Sequence, residues 1–139
     1  MQISRKADYA LRAVTYLVNQ PDNKRSSISE IAENEGIPRD FLAKILKELC
    51  RTGFLKSFQG VTGGYQLARD KSQISFLNVI EAMQGEVKVN MCVDEEGGCQ
   101  CNHRTSCTML PFWKEIQKKV VKDLKSITFD NPKFIVKKK

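Results

Sequence analysis

Four of the five cysteines crowd between Cys92 and Cys107. Six residues separate Cys92 from Cys99, one separates Cys99 from Cys101, and five separate Cys101 from Cys107, with His103, the sole histidine, inside the run. Thiolates are soft ligands that suit iron–sulfur clusters or zinc. Structural zinc usually takes two knuckles of closely spaced cysteines, which this run lacks, so the spacing favours a cluster over zinc. A metal-free thiol switch is the third reading. An odd number of cysteines, so unevenly placed, argues against a disulfide framework and for a reducing compartment. Cys50 stands apart and reads as a small hydrophobe on a helix.

A second set of residues could meet nucleic acid. Arg39, Asp40, Lys44 and Lys47 fall on the polar side of a stretch whose Leu42, Ile45, Leu46 and Leu49 form one apolar stripe. Such a helix fits the major groove, with Arg39 and Asp40 toward base edges and Lys44 and Lys47 toward bases or phosphates. A little later Gly60, Gly63 and Gly64 offer close backbone approach to phosphates, flanked by the donors Lys56, Ser57, Gln59 and Thr62. A nucleotide-binding loop does not fit here, because its lysine and following helix are missing. No acid–base pair or Ser-His-Asp set can be assembled, so an enzyme is not expected.

The elements that must carry these groups follow from periodicity. Ala7, Ala10, Leu11, Val14, Leu17 and Val18 recur at helical spacing and predict a first helix ended by Gln20-Pro21-Asp22-Asn23. Ser27 and Glu30 read as a capping box opening a short second helix. Gly36-Ile37-Pro38 breaks it, Pro38 suits the first turn of the third helix, and Gly53 is that helix's stop. Two extended runs, 54–58 and 65–68, flank the glycine-rich tip as a hairpin. Ser75 caps a fourth helix carrying Phe76, Val79, Ile80 and Met83, closed by Gly85. From Pro111 to about Ile127, a stripe of Trp113, Ile116, Val120, Leu124 and Ile127 predicts a long helix whose second apolar surface calls for a partner chain.

The expected fold is therefore mainly α with a small β-hairpin wing: a winged helix-turn-helix domain plus a long C-terminal dimerisation helix. The expected organisation is a DNA-binding domain at 1–85, a cysteine-rich loop at 86–110, the dimerisation helix at 111–130 and a basic tail at 131–139. The 139 residues suit one domain. Twenty-three Lys and Arg against sixteen Asp and Glu leave a formal charge of +7, which favours a polyanionic partner. No apolar run approaches the ~20 residues of a membrane span, and no signal-peptide pattern opens the chain, so a cytoplasmic protein without membrane partners is expected.

Taken together, four stretches resemble the Rrf-type regulators, the family of IscR and NsrR. They are the opening Met1 to Ala13, the turn from Ile31-Ala32 to Gly36-Ile37-Pro38, the run from Gly53 through Gly63-Gly64 to Ala68, and the cysteines with Trp113. The resemblance spans nearly the whole chain. It implies a homodimeric winged-helix transcription factor on double-stranded DNA, in many members holding an iron–sulfur cluster, four-iron or two-iron, on three loop cysteines. The family's five-residue gap between its last two cysteines selects Cys92, Cys101 and Cys107. The IscR-like string Gly97-Gly98-Cys99-Gln100 selects Cys99 in place of Cys101. The histidine that IscR places three residues after its last cysteine is here Leu110, so that ligand is missing. NsrR-like members use an aspartate of the first helix from the other subunit, which corresponds to Asp8. The expected function is a regulator sensing redox state, nitric oxide or iron–sulfur status on a two-fold symmetric operator. The alternatives are a zinc-stabilised nucleic-acid-binding module and a small iron–sulfur electron-transfer protein.

Overall fold

The computed structural model describes residues 1–93 and 107–134. Cys99, Cys101, His103, the acidic Asp94-Glu95-Glu96 and the terminal lysines lie outside the described residues. Helix α1 spans Arg5–Val18, α2 Ile28–Glu35, α3 Arg39–Arg51, α4 Phe76–Gln84 and α5 Leu110–Ser126. Strands β1 (Leu55–Phe58) and β2 (Gly64–Leu67) form an antiparallel hairpin between α3 and α4. The order is that of a winged helix-turn-helix domain followed by a long helix, as the periodicity predicted.

Helix α1 starts where the Ser4 hydroxyl accepts a hydrogen bond from the Ala7 amide at 3.1 Å. Its Ala7, Ala10, Ala13, Val14 and Leu17 are buried. Three alanines on this face let α4, its main packing partner, approach closely. Helix α3 ends in a Schellman turn, with Gly53 N–H donating to the Cys50 carbonyl at 3.1 Å and Phe54 N–H to the Leu49 carbonyl at 2.9 Å. Gly53 supplies the positive φ of 86° that this turn requires. Pro38 sits at the N-cap of α3, one position earlier than the first turn.

The capping box at Ser27 is only half made. Ser27 accepts from the Glu30 amide at 3.1 Å, but the Glu30 carboxylate leaves the cap for the Tyr16 hydroxyl and the Lys24 ammonium. Two charge-assisted bonds outcompete one bond to a backbone amide. The capping box that does close lies at α4, where Ser75 and Asn78 exchange bonds.

One apolar cluster joins α1, α2, α3, the hairpin and α4, and it also takes in Val87 and Phe129. Phe129, beyond α5, is fully buried, which contributes about 1.5–3 kcal/mol. Its amide donates to the Ile74 carbonyl at 3.0 Å, while Phe76 N–H donates to Ile127 at 2.9 Å. Thr128 thereby bridges Ser75, and Phe76, Phe129 and Phe134 pack their rings together. The Asn19 side chain, at the end of α1, donates to the Phe134 carbonyl at 2.8 Å.

Candidate nucleic-acid interface and cysteine segment

Helix α3 divides its faces cleanly. Leu42, Ile45, Leu46 and Leu49 are buried, and this anchors the helix on α1, α2 and α4. Arg39, Asp40, Lys44 and Lys47 are all exposed, with Asp40, Lys44 and Lys47 along one stripe. Phe41, 40% exposed, leans edge-on against Tyr9 of α1, with ring centroids 5.6 Å apart. Lys6 of α1 reaches Glu48 at 2.7 Å, a further tie between the two helices. The result is a helix presenting four cations, Arg39, Lys44, Lys47 and Arg51, and the Asp40 carboxylate to solvent.

The wing stands beside it. Leu55 pairs with Leu67, Lys56 with Gln66, Ser57 with Tyr65 and Phe58 with Gly64. Tyr65 also exchanges backbone bonds with Ser26, at 3.1 and 2.8 Å, so the hairpin gains a third, single-residue strand. Lys56, Ser57, Gln59, Gly60 and Thr62 are exposed. Gly63 and Gly64 are half-buried and serve the turn itself. A side chain on Gly63 would collide with the Phe58 carbonyl, and one on Gly64 would come within 2.8 Å of the Ser26 carbonyl oxygen. Their small size thus lets the chain close on itself, where phosphate approach was the expected reason. Cys50 is half-buried beneath the wing, where burial pushes its thiol pKa up despite a hydrogen bond with Ser57.

The cysteine segment is anchored at both described ends. Cys92 lies in a 3₁₀ turn, Met91–Val93, that packs against α5, and Cys107 stands three residues before α5 begins. Both are half-buried. Gln117 of α5 clamps the approach, accepting from the Val89 amide at 2.8 Å and donating to the Val87 carbonyl at 2.5 Å. Among the described residues no three metal-ligating side chains converge. Asp8 is partly exposed on α1 and pairs with Arg12 at 3.1 Å, in an open groove with Gln2, Ser4 and Tyr9.

Helix α5 carries two apolar faces. Val120, Val121 and Leu124 lean on the core, whereas Met109, Phe112 and Ile116 are 56%, 64% and 42% exposed. The stripe expected from sequence mixes the two. Ile116 belongs to the outer face, Val120 and Leu124 to the inner one, and Phe112 and Met109 were missed.

Residues 3–131 match the Rrf2 family, described as iron-dependent transcriptional regulators. The chain belongs to the Rrf2 family. A Synechocystis protein named as an HTH-type transcriptional regulator, slr0846, is 34% identical over 92% of this chain and 84% of its own length. Among solved structures, CymR, the global cysteine regulator of B. subtilis, superposes with a TM-score of 0.76 at 23% identity, over 94% of this chain and 95% of that one. T. potens IscR gives 0.74 at 24% identity, over 94% and 85%. At these identities the superpositions speak to the fold, which is that of the Rrf2 regulators.

This Rrf2 protein is accordingly a DNA-binding transcriptional regulator and not an enzyme. No helix among the described residues is long and apolar enough to cross a membrane. At the wing, Arg25 is a further residue that the sequence pattern did not mark. Arg25 lies over the Phe58 ring, its guanidinium carbon 3.7 Å from the ring centroid, and donates to the Thr62 carbonyl at 3.3 Å. The only trace of it in the sequence is a basic residue just ahead of Ser26, because the bridge that brings position 25 to the wing is one residue long.

Proposed function

We propose that this Rrf2 regulator acts as a homodimer on a two-fold symmetric operator and holds an iron–sulfur cluster whose state sets its DNA affinity. The observation that carries the reading is the outer face of α5, which leaves Met109, Phe112 and Ile116 exposed directly after Cys107. Apolar side chains at steps of three and four along one helix suit a second copy of the same helix. A seam begun there starts beside the cysteine segment, so whatever the cysteines hold lies next to the joint between the two reading heads.

The donor chemistry fits a cluster. Cys92 and Cys107 are half-buried soft ligands at the two ends of a segment that also carries Cys99 and Cys101. Cys92, Cys101 and Cys107 would hold it, with Cys99 as the alternative to Cys101 and with Asp8 of a second copy as an oxygen ligand. Asp8 is committed only to an exposed pair with Arg12, worth about 0.3–0.5 kcal/mol, so its carboxylate is cheaply reassigned. A bound cluster supplies iron that is redox-active and open to attack by small molecules such as nitric oxide. The chain's own contribution is positional: Asp8 sits on α1, and α1 packs on α3 and α4. A bond gained or lost at Asp8 therefore acts on the helix that supports the reading helix.

On DNA, Arg39 and Asp40 would face base edges, Lys44 and Lys47 bases or phosphates, and the wing from Lys56 to Gly64 the backbone. Anaerobic purification tests the whole reading, with visible absorbance, iron and sulfide analysis and light scattering on one sample. A coloured dimer with iron and sulfide is expected. A colourless protein holding zinc, or metal-free protein whose DNA affinity follows thiol oxidation, overturns the cluster. Cys101→Ser should lose colour and Cys99→Ser keep it; the reverse result moves the middle ligand to Cys99.

A further inference from the structure

We infer that Arg25 is a positioning residue for DNA binding, holding the wing tip at Val61 and Thr62 in the shape that meets the duplex. This rests on the reading of the wing as a DNA contact. The tip has little else to hold it. Across residues 59–63 the turn is closed by one internal backbone bond, Gly63 N–H to the Gly60 carbonyl at 3.0 Å. Arg25 touches both sides of that turn, its plane over the Phe58 ring at the end of β1 and its Nη1 on the Thr62 carbonyl. Its own backbone is fixed in turn, because the next residue, Ser26, is bridged to Tyr65 of β2. Planar stacking plus a directed N–H is guanidinium geometry that an ammonium does not reproduce.

What the clamp holds out is unusual for a soluble surface. Val61 is fully exposed at the tip, with a relative accessibility of 106%. A branched apolar side chain kept in water by a stiffened turn is suited to a surface outside this chain, and the deoxyribose walls of a DNA groove match it. Fixing the tip beforehand spares the complex the ordering cost that a loose loop would incur on binding.

The test uses the full-length protein and a duplex selected from random sequence by the wild type, with affinity read by fluorescence anisotropy across a salt series. Arg25→Lys keeps the charge but loses the stack and fork; it should weaken binding about three- to tenfold with an unchanged salt slope. Phe58→Leu should do the same, and the double variant should be no weaker than either single one. Hydroxyl-radical protection should fade where the wing lies and persist under α3. Wild-type affinity for Arg25→Lys, or additive effects in the double variant, overturns the inference. So does a lowered salt slope in Arg25→Gln with Phe58→Leu unchanged, because Arg25 would then touch phosphate itself. Val61→Asp separates the two levels: if it leaves affinity unchanged the wing does not meet DNA and both readings fall. If it weakens binding while Arg25→Lys does not, only the role of Arg25 falls.

Discussion

The winged head and helix α5 are built from equally amphipathic stretches, yet α1 buries five residues and α3 four, whereas none of α5 is buried. In the head every apolar stripe finds its cover within the chain, and polar groups close on one another as Ser4, Ser75 and Glu30 do. Along α5 only the inner face is covered. Periodicity records that a face is apolar; it does not record whose surface covers it.

The largest expected effect would break this division if it failed. Phe129 follows α5 in the chain but belongs to the head in space, so Phe129→Ala should cost about 3–5 kcal/mol in urea unfolding. A loss below about 1 kcal/mol would place the return segment with α5. Next comes Ile116→Asp on the outer face. It should raise the dissociation constant of the proposed dimer at least about tenfold while the head unfolds as before, since about 1.5–3 kcal/mol of apolar burial would sit at such a position. A large loss of stability in the resulting monomer would show that this face is covered within the chain.

Tyr16→Phe sharpens the comparison from inside the head. Burial, together with the hydrogen bond to Glu30, pushes the Tyr16 hydroxyl up to about 12 from an ordinary 10.0. That contribution is full below pH 10.0 and is lost as pH rises toward about 12. Burial alone would push the Glu30 carboxyl up, but bonds from Tyr16 and Lys24 outweigh it and hold it low. Its contribution is present above the ordinary carboxylate range and fades as pH falls below it. Tyr16→Phe should therefore cost on the order of 1 kcal/mol at neutral pH and flatten both limbs of the stability profile. An unchanged alkaline limb would remove Tyr16 from it. Smallest is Arg12→Ala, expected to cost about 0.3–0.5 kcal/mol, because its pair with Asp8 is half exposed. A cost above about 1 kcal/mol would mean that Asp8 is not available for reassignment.

Much of this architecture was legible because local chemistry and tertiary need agree. Ser27, Ser75 and Gly53 mark helix ends, and the stripes of α1, α3 and α4 all turned inward, whereas the Ser4 cap of α1 emerged only in the structure. Illegible were features made by single residues meeting across long separations. Ser26 joins the wing through one bridge, too short to show alternation, and so hid Arg25. Phe129 is one apolar residue in a polar run, with no period to announce burial. Glu30 had two uses, and only the arrival of Tyr16 and Lys24 decided between them. Arg39, Asp40, Lys44 and Lys47 are exposed opposite the buried stripe of α3, as their spacing predicted.

The return of the chain through Thr128 and Phe129 also sets a schedule for synthesis. Helices α1 to α4 and the wing leave the ribosome well before Phe129, yet among the described residues its ring is the largest side chain wholly enclosed in their core. A nascent chain stopped after α4 lacks the ring that packs on Phe76 and the amide that pairs with the Ile74 carbonyl. Domains normally settle as their own residues emerge. Here the head lacks its last core residue until α5 has already been translated, so a nascent head reaches its full stability only after the helix proposed to pair two copies has been made.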